Sequence, residues 1–156
     1  MIEDLAIPAA IILATVIATE VAAAWIHRHV MHGWGWGWHR SHHEARKGYF
    51  ERNDLYSLPF AALSTALCVL GSLFFMPLLW VGVGLSVYGL LYYLVHDGLV
   101  HQRWPFRYVP RSGYLRRLYQ AHRLHHAVNT KEGAVSFGFL FARPVAEIRR
   151  ELQRSD

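Results

Sequence analysis

The sequence predicts an all-α integral membrane protein, with three to four transmembrane helices carrying a histidine-rich helical cap on one face of the bilayer. Three observations lead there: long apolar runs, confinement of positive charge to the segments between them, and a repeated spacing of histidines. The chain has 156 residues, of which 53% are hydrophobic and 17% charged, a balance shifted toward membrane proteins. That length suits one domain, 1–156, and not two. A formal charge of +5 and a pI near 9.7 would point to nucleic acid in a soluble protein. Position argues otherwise. All sixteen Lys and Arg fall in Arg28–Arg52 and Arg103–Arg154, so the apolar parts carry no positive charge and no nucleic-acid partner is expected.

Leu5 to Ile26 is the first apolar run, interrupted by Thr15, Thr19 and Glu20. As a helix it would extend about 33 Å, close to the roughly 30 Å hydrocarbon core. Glu3 and Asp4 stand where a cleaved leader would carry basic residues, so the run is read as a retained span. Pro8 lies near its first turn, where proline is tolerated. Glu20 is costly in lipid and is expected to face other helices or water near the polar end. Asn53-Asp54 is read as the N-cap of a new helix. Leu55–Met76 and Leu78–Val95 form the second and third runs, folded into a hairpin at Gly71 and Met76-Pro77. Gly82, Gly84 and Gly89 permit close helix contact. A fourth stretch, Ala134–Ala142, is too short to span and is read as re-entrant or interfacial, with a division into four spans as the alternative.

With one crossing followed by a crossing and return, Arg28–Arg52 and Arg103–Arg154 emerge on the same side. The positive-inside rule makes that side cytoplasmic. Trp34, Trp36 and Trp38, alternating with glycine, read as an aromatic belt on a tight loop. Cys68 is the one cysteine, which excludes an intrachain disulfide, a thiolate zinc site and a protein-bound iron–sulfur cluster.

The histidines occur in two repeated spacings. His27/His32 is H-x4-H and His39/His42/His43 is H-x2-H-H; His96/His101 and His122/His125/His126 repeat both in the same order, leaving His29 over. Neutral imidazole is a common ligand for zinc, iron, copper and nickel. On a helix, His122, His125 and His126 can face one centre, as can His39, His42 and His43. The H-x4-H rings stand about 140° apart on an ideal helix and converge only if the helix ends or bulges between them. Gly98 and the glycines from Gly33 to Gly37 suit that role. Ten imidazoles are too many for one metal but suit two centres of roughly five ligands each, a dinuclear site with an open position. Neither H-E-x-x-H nor Glu-x-x-His occurs, so an all-histidine di-iron, oxygen-activating site is favoured over a zinc hydrolase or a soluble di-iron bundle. Glu44, Asp54 and Asp97 are candidates to orient ligand N–H groups; Asp54 as a cap and Asp97 as an arginine partner are the alternatives.

The motifs HGWGWGWHRSHHE (32–44), HDGLVHQRWPF (96–106), YLRRLYQAHRLHHA (114–127) and VSFGFL (135–140) resemble the bacterial β-carotene hydroxylases of the membrane fatty acid hydroxylase/desaturase superfamily. The resemblance runs from about residue 20 onward, and none of the ten motif histidines departs from it. It implies a non-haem di-iron monooxygenase with O2 as co-substrate, hydroxylating carbon 3 of a β-ionone ring to give zeaxanthin by way of cryptoxanthin. It also implies ligand roles for His27, His32, His39, His42, His43, His96, His101, His122, His125 and His126, with zinc as a substitute metal. No catalytic residue beyond these ligands is named. The chain has no recognisable flavin, nicotinamide or iron–sulfur motif, so a separate donor, ferredoxin with its reductase, is expected. Arg103, Arg107, Arg111, Arg116 and Arg117 are candidates to meet it, with anionic lipid headgroups as the alternative. The carotenoid would enter from the bilayer, between helices beneath the metal site.

Ligand spacing reports the oxidant and not the substrate, so a carotenoid ketolase or a fatty acid or sterol hydroxylase or desaturase shares these features. A non-enzymatic metal or haem binder is the reading from another class. Transporters place polar ligands near the midplane in broken helices, and haem uses one or two histidines, neither of which matches.

Overall fold

The computed structural model describes residues 2–45 and 48–155. Arg46 and Lys47, part of the first basic segment, lie outside the described residues, as do the side chains of Glu3 and Asp4. Among the described residues every regular element is helical: α1 (Ile2–Ile26), α2 (Trp36–His43), α3 (Ser57–Phe74), α4 (Met76–Tyr92), α5 (Gly113–His125) and α6 (Val145–Ser155). Two π-helical segments, His27–Trp34 and Tyr93–Val100, continue α1 and α4, and a 3-10 turn, Arg52–Tyr56, leads into α3. Three stretches are long and apolar enough to cross a membrane, Leu5–Trp34, Arg52–Phe74 and Met76–Val100, and the protein is a membrane protein.

The second and third spans form the expected hairpin, and the connection is a single extended residue, Phe75 (φ −155°, ψ 93°). Pro77 sits in the first turn of α4, where its missing N–H costs nothing. A Cβ on Gly71 would collide with the backbone of Leu79, so this turn requires glycine. α4 packs against both α1 and α3. Its close approaches use Gly84, where a Cβ would lie 2.6 Å from Thr15 Cβ, and Gly82, where it would lie 2.7 Å from Cys68 Sγ. Small residues are what bring apolar helices together in lipid, where burial of apolar surface drives nothing.

Asn53-Asp54 does not cap α3 as expected. Glu51 and Asp54 form a capping box for the 3-10 turn, with Asp54 Oδ2 accepting from Glu51 N at 2.9 Å. Asn53 is buried and turned toward a histidine. GWGWGW is likewise not a plain loop: the first π segment kinks at Gly33 (φ −108°, ψ −125°) and α2 begins at Trp36. Trp34 is 85% exposed and Trp38 48%, as an anchoring belt requires. Trp36 instead packs against His32 and His43, ring centroids 5.2 and 5.3 Å away.

Ala134–Ala142 is irregular and partly buried, and a carboxylate holds it. Glu20 Oε1 accepts backbone N–H groups from Phe139, Leu140 and Phe141, each at 2.9 Å, and Glu20 Oε2 accepts from Tyr88 Oη at 2.8 Å. Glu20 lies seven residues before His27 on α1, about 10 Å along the axis at 1.5 Å per residue, so the stretch dips below the histidines as a re-entrant segment would. On the far side α6 docks on α5 through Ile148, which packs with Leu118, Ala121, Val135 and Ala142.

Glu20→Ala strands three backbone N–H donors and a tyrosine hydroxyl at once, which should cost on the order of 3 kcal/mol. Thermal denaturation in detergent should show a lowered midpoint, with Glu20→Gln less affected because its amide oxygen still accepts.

Candidate metal centre

Each π segment solves the problem posed by H-x4-H. A π-helix closes i→i+5 hydrogen bonds, so residues five apart come to lie above one another where an α-helix would separate them. His101 N donates to His96 O at 2.9 Å, and Gly35 N to Val30 O at 2.8 Å. His27 and His32 converge at ring centroids 5.3 Å apart, His96 and His101 at 4.6 Å. The expected bulge is therefore a whole π segment. Gly98 serves packing within it: the Trp104 ring lies where its Cβ would be.

The ten motif histidines come together as two adjoining sets. Centre I gathers His27, His32, His39, His43 and His125, whose ligand atoms all lie within 4.8 Å of one another, and all five are buried. Centre II gathers His42, His101, His122 and His126 by the same measure, with His96 at its edge, Nε2 3.1 Å from His42 Nε2. The expectation that each H-x2-H-H trio faces one centre is corrected. His39 and His43, four apart on α2, face centre I while His42 faces centre II; His122 and His126 face centre II while His125 faces centre I. Each helix lies between the centres, and a residue one position from its neighbour points about 100° away from it. The two repeats thus exchange their middle histidines. His29 is exposed against Trp25 and belongs to neither set.

The Nδ1 contacts settle the tautomers. A carbonyl or carboxylate can only accept, so an Nδ1 facing one carries the proton. His27 donates to Phe137 O (2.9 Å), His32 to Lys131 O (2.9 Å), His43 to Val128 O (2.8 Å), His125 to Val135 O (2.9 Å) and His39 to Asn53 Oδ1 (2.7 Å). His42 donates to Glu51 Oε2 (2.9 Å) and His96 to Asp97 Oδ1 (2.8 Å). Every Nε2 in these seven neutral rings is then a bare lone pair. Yet Nε2 faces Nε2 at 3.0 Å for His27–His39, 3.2 Å for His32–His125, 3.2 Å for His39–His43 and 3.1 Å for His42–His96. No proton stands between such atoms, and opposed lone pairs repel. Two imidazoles bound at right angles to one ion at about 2.1 Å have their nitrogens roughly 3.0 Å apart. The spacing fits adjacent ligands on one cation, so each set could hold a metal ion.

Neutral imidazole is also the form that burial favours. Desolvation, with neighbouring imidazoles adding to it, holds His39 at about 3, His43 at about 4 and His126 at about 2. His42, His101, His122 and His125 lie well below the ordinary histidine value for the same reasons.

The acidic residues divide differently from expectation. Asp97 does orient a histidine, His96, and also pairs with Arg103 at 3.4 Å. Asp54 touches no histidine and pairs with Arg103 at 2.9 Å. Glu44 is engaged by Arg40 at the surface. Glu51 and Asn53 are the orienting residues that sequence reasoning missed; they sit at the start of the short 3-10 turn, with no periodic signal to mark them. Arg103 is no docking residue, since its side chain is 7% exposed and held by Glu51, Asp54 and Asp97. Arg107, Arg111, Arg116 and Arg117 are exposed. A polar cleft of about 460 Å³ opens onto centre II, lined by His42, His101, His126, Arg103, Tyr119 and Arg123 among others. On the opposite side Phe139 closes the space between the centres, stacked on His27 at 4.9 Å and edge-on to His96 at 5.2 Å.

A membrane-spanning bundle whose cap joins ten imidazoles, eight of them buried, into two adjoining clusters defines a polyhistidine membrane protein able to hold metal. The chain belongs to the fatty acid hydroxylase family, which it matches over residues 12–143. It is 63% identical over 145 residues to a β-carotene hydroxylase from Pantoea ananas, covering 93% of this chain and 83% of the relative. A β-carotene hydroxylase from Paracoccus sp. (strain PC1) is 55% identical, covering 93% of this chain and 90% of that one. The chloroplastic β-carotene 3-hydroxylase 2 of Arabidopsis thaliana is 37% identical, covering 88% of this chain and 47% of the plant protein. No solved structure matches the chain.

The depressed histidine values predict a pH dependence for the metal-free protein. Below the ordinary value of 6.5 the unfolded chain takes up protons that the folded histidines refuse until about pH 4 for His43 and about 3 for His39. Stability should therefore be full above about pH 6.5 and fall steadily toward pH 4. Thermal midpoints of metal-free protein in detergent at stepped pH check this.

Proposed function

We propose that this chain is a non-haem di-iron monooxygenase that hydroxylates carbon 3 of the β-ionone rings of carotenoids, taking β-carotene through cryptoxanthin to zeaxanthin. Residues 1–156 act as one membrane hydroxylase domain in this reading. Its main support is the set of opposed Nε2 lone pairs at 3.0–3.2 Å, an arrangement that calls for a cation in each centre. The carotenoid assignment is supported by the β-carotene hydroxylases to which the chain is 54–63% identical over nearly its whole length.

In the balanced reaction a ring C–H, O2, two electrons and two protons give C–OH and water. An unactivated C–H bond needs activated oxygen, which two bound irons supply; zinc would fill the same ligands without redox chemistry. The ten motif histidines would hold the pair, and Nδ1–H partners keep seven of the rings aimed. Phe137 and Phe139 keep water and lipid from the membrane side of the centres, where a carotene arriving from the bilayer would present its ring. The polar cleft at centre II is the route for protons and water. A ferredoxin, recharged by its reductase, delivers electrons at the face carrying Arg107, Arg111, Arg116 and Arg117. The basic segments support a cytoplasmic orientation for that face, with the spans in a bacterial inner membrane.

Pigment analysis of a carotene-accumulating bacterial host tests the assignment. The wild-type chain and His29→Ala should yield cryptoxanthin and zeaxanthin, and His125→Ala should yield neither and retain less iron. Unchanged carotenes with wild-type protein that is inserted and iron-loaded would overturn the substrate assignment, and fatty acids and sterols would be tried next.

A further inference from the structure

The two centres share their ligand chemistry but not their surroundings. At centre I all five Nδ1–H groups donate to uncharged oxygens, four backbone carbonyls and the Asn53 amide. At centre II the two Nδ1–H groups with side-chain partners donate to carboxylates, His42 to Glu51 and His96 to Asp97. Each carboxylate spends its other oxygen on Arg103, Glu51 Oε1 at 3.2 Å and Asp97 Oδ2 at 3.4 Å, so one guanidinium ties both to a single frame. Asp54 adds a third carboxylate to that frame, leaving it formally negative. Of the other nearby carboxylates, Glu44 pairs with Arg40, and Glu20 is occupied by the Phe139–Phe141 N–H groups and Tyr88.

We propose that the centres bind metal unequally, centre II the more tightly, and that Glu51 and Asp97 are the positioning residues that make it so. This rests on the two-centre reading above. A carboxylate accepting from Nδ1–H pulls the proton toward itself and leaves Nε2 a stronger donor than a carbonyl can. The surplus negative charge of the Glu51–Asp54–Asp97–Arg103 frame adds a direct attraction for a divalent ion, weakly screened because the groups are largely out of water. The arrangement offsets a difference in access. Centre II meets the polar cleft with His42, His101 and His126, and His101 and His126 are only partly buried, whereas centre I reaches the cleft through His43 alone and all five of its histidines are buried.

The test is titration of metal-free protein in detergent with Co(II), followed by visible absorption and calorimetry, which reads affinity without turnover. Wild type should bind two equivalents with dissociation constants about tenfold or more apart. The pair Glu51→Gln and Asp97→Asn should weaken the tighter step by about 10–100-fold and leave the other in place. Asn53→Asp, which sets a carboxylate behind His39, should tighten the weaker step, and it keeps the test open if the double variant does not fold. Two equal steps in wild type, or a loss confined to the weaker step in the double variant, would overturn the proposal. Fewer than two equivalents bound by folded wild type would overturn the two-centre reading itself, and this inference with it.

Discussion

Imidazole nitrogens 3.0–3.2 Å apart, each with its lone pair turned to the other, are the constraint on which the rest of this structure depends. Such pairs repel and give up hydration, so something else must hold them in place before any ion compensates. That task falls to the Nδ1–H hydrogen bonds on the outer side of each ring. At centre I four of them end on backbone carbonyls between Val128 and Phe137, a segment without regular secondary structure and so with carbonyls to spare. That segment is in turn pinned to α1 by Glu20. A carboxylate that is costly in an apolar span is thus the anchor that lets an irregular strip reach the histidines from below.

Geometry along the chain serves the same end. α1 and α4 both run up to the cap, and both pass into a π segment where their H-x4-H pair occurs. The i→i+5 hydrogen bond is unfavourable as regular structure, and such bulges are found chiefly at functional sites. Here it brings a pair five apart to one cluster. α2 and α5 then contribute i,i+4 pairs in ordinary α geometry and pass their middle histidine to the neighbouring centre. Two chemically similar repeats are locked together by that exchange: neither centre is complete without a residue from the other repeat. What distinguishes the centres lies behind the ligands, carbonyls and an amide on one side, carboxylates held by Arg103 on the other.

Much of this was legible in the sequence. The apolar runs at 5–26, 55–76 and 78–95, the hairpin at Gly71 and Pro77, and the division of ten motif histidines from His29 can all be read from period and composition. These are local properties, decided by span length, backbone chemistry and spacing along one helix. The need for a bulge within each H-x4-H was legible for the same reason, since 100° per residue is a property of the α-helix itself.

Other features were not legible, and they share a cause. Arg103 looked like a surface cation and is buried in a carboxylate frame; Asn53 looked like a cap and orients His39; Glu51, unmarked by any period, orients His42. The trios of H-x2-H-H looked as if each faced one centre and are split between two. Every one of these depends on which loop lies against which helix, whether close in the chain, as Glu51 meets His42, or far apart, as His32 meets Lys131 O and His43 meets Val128 O. The sequence by itself determined the membrane spans and set ten histidines apart from His29, because hydrophobic length and spacing are carried by residues singly or in short runs. Only the tertiary structure decided which histidine joins which centre and what charge stands behind it, because hydrogen bonds and Coulomb forces act between groups that the chain brings together only on folding.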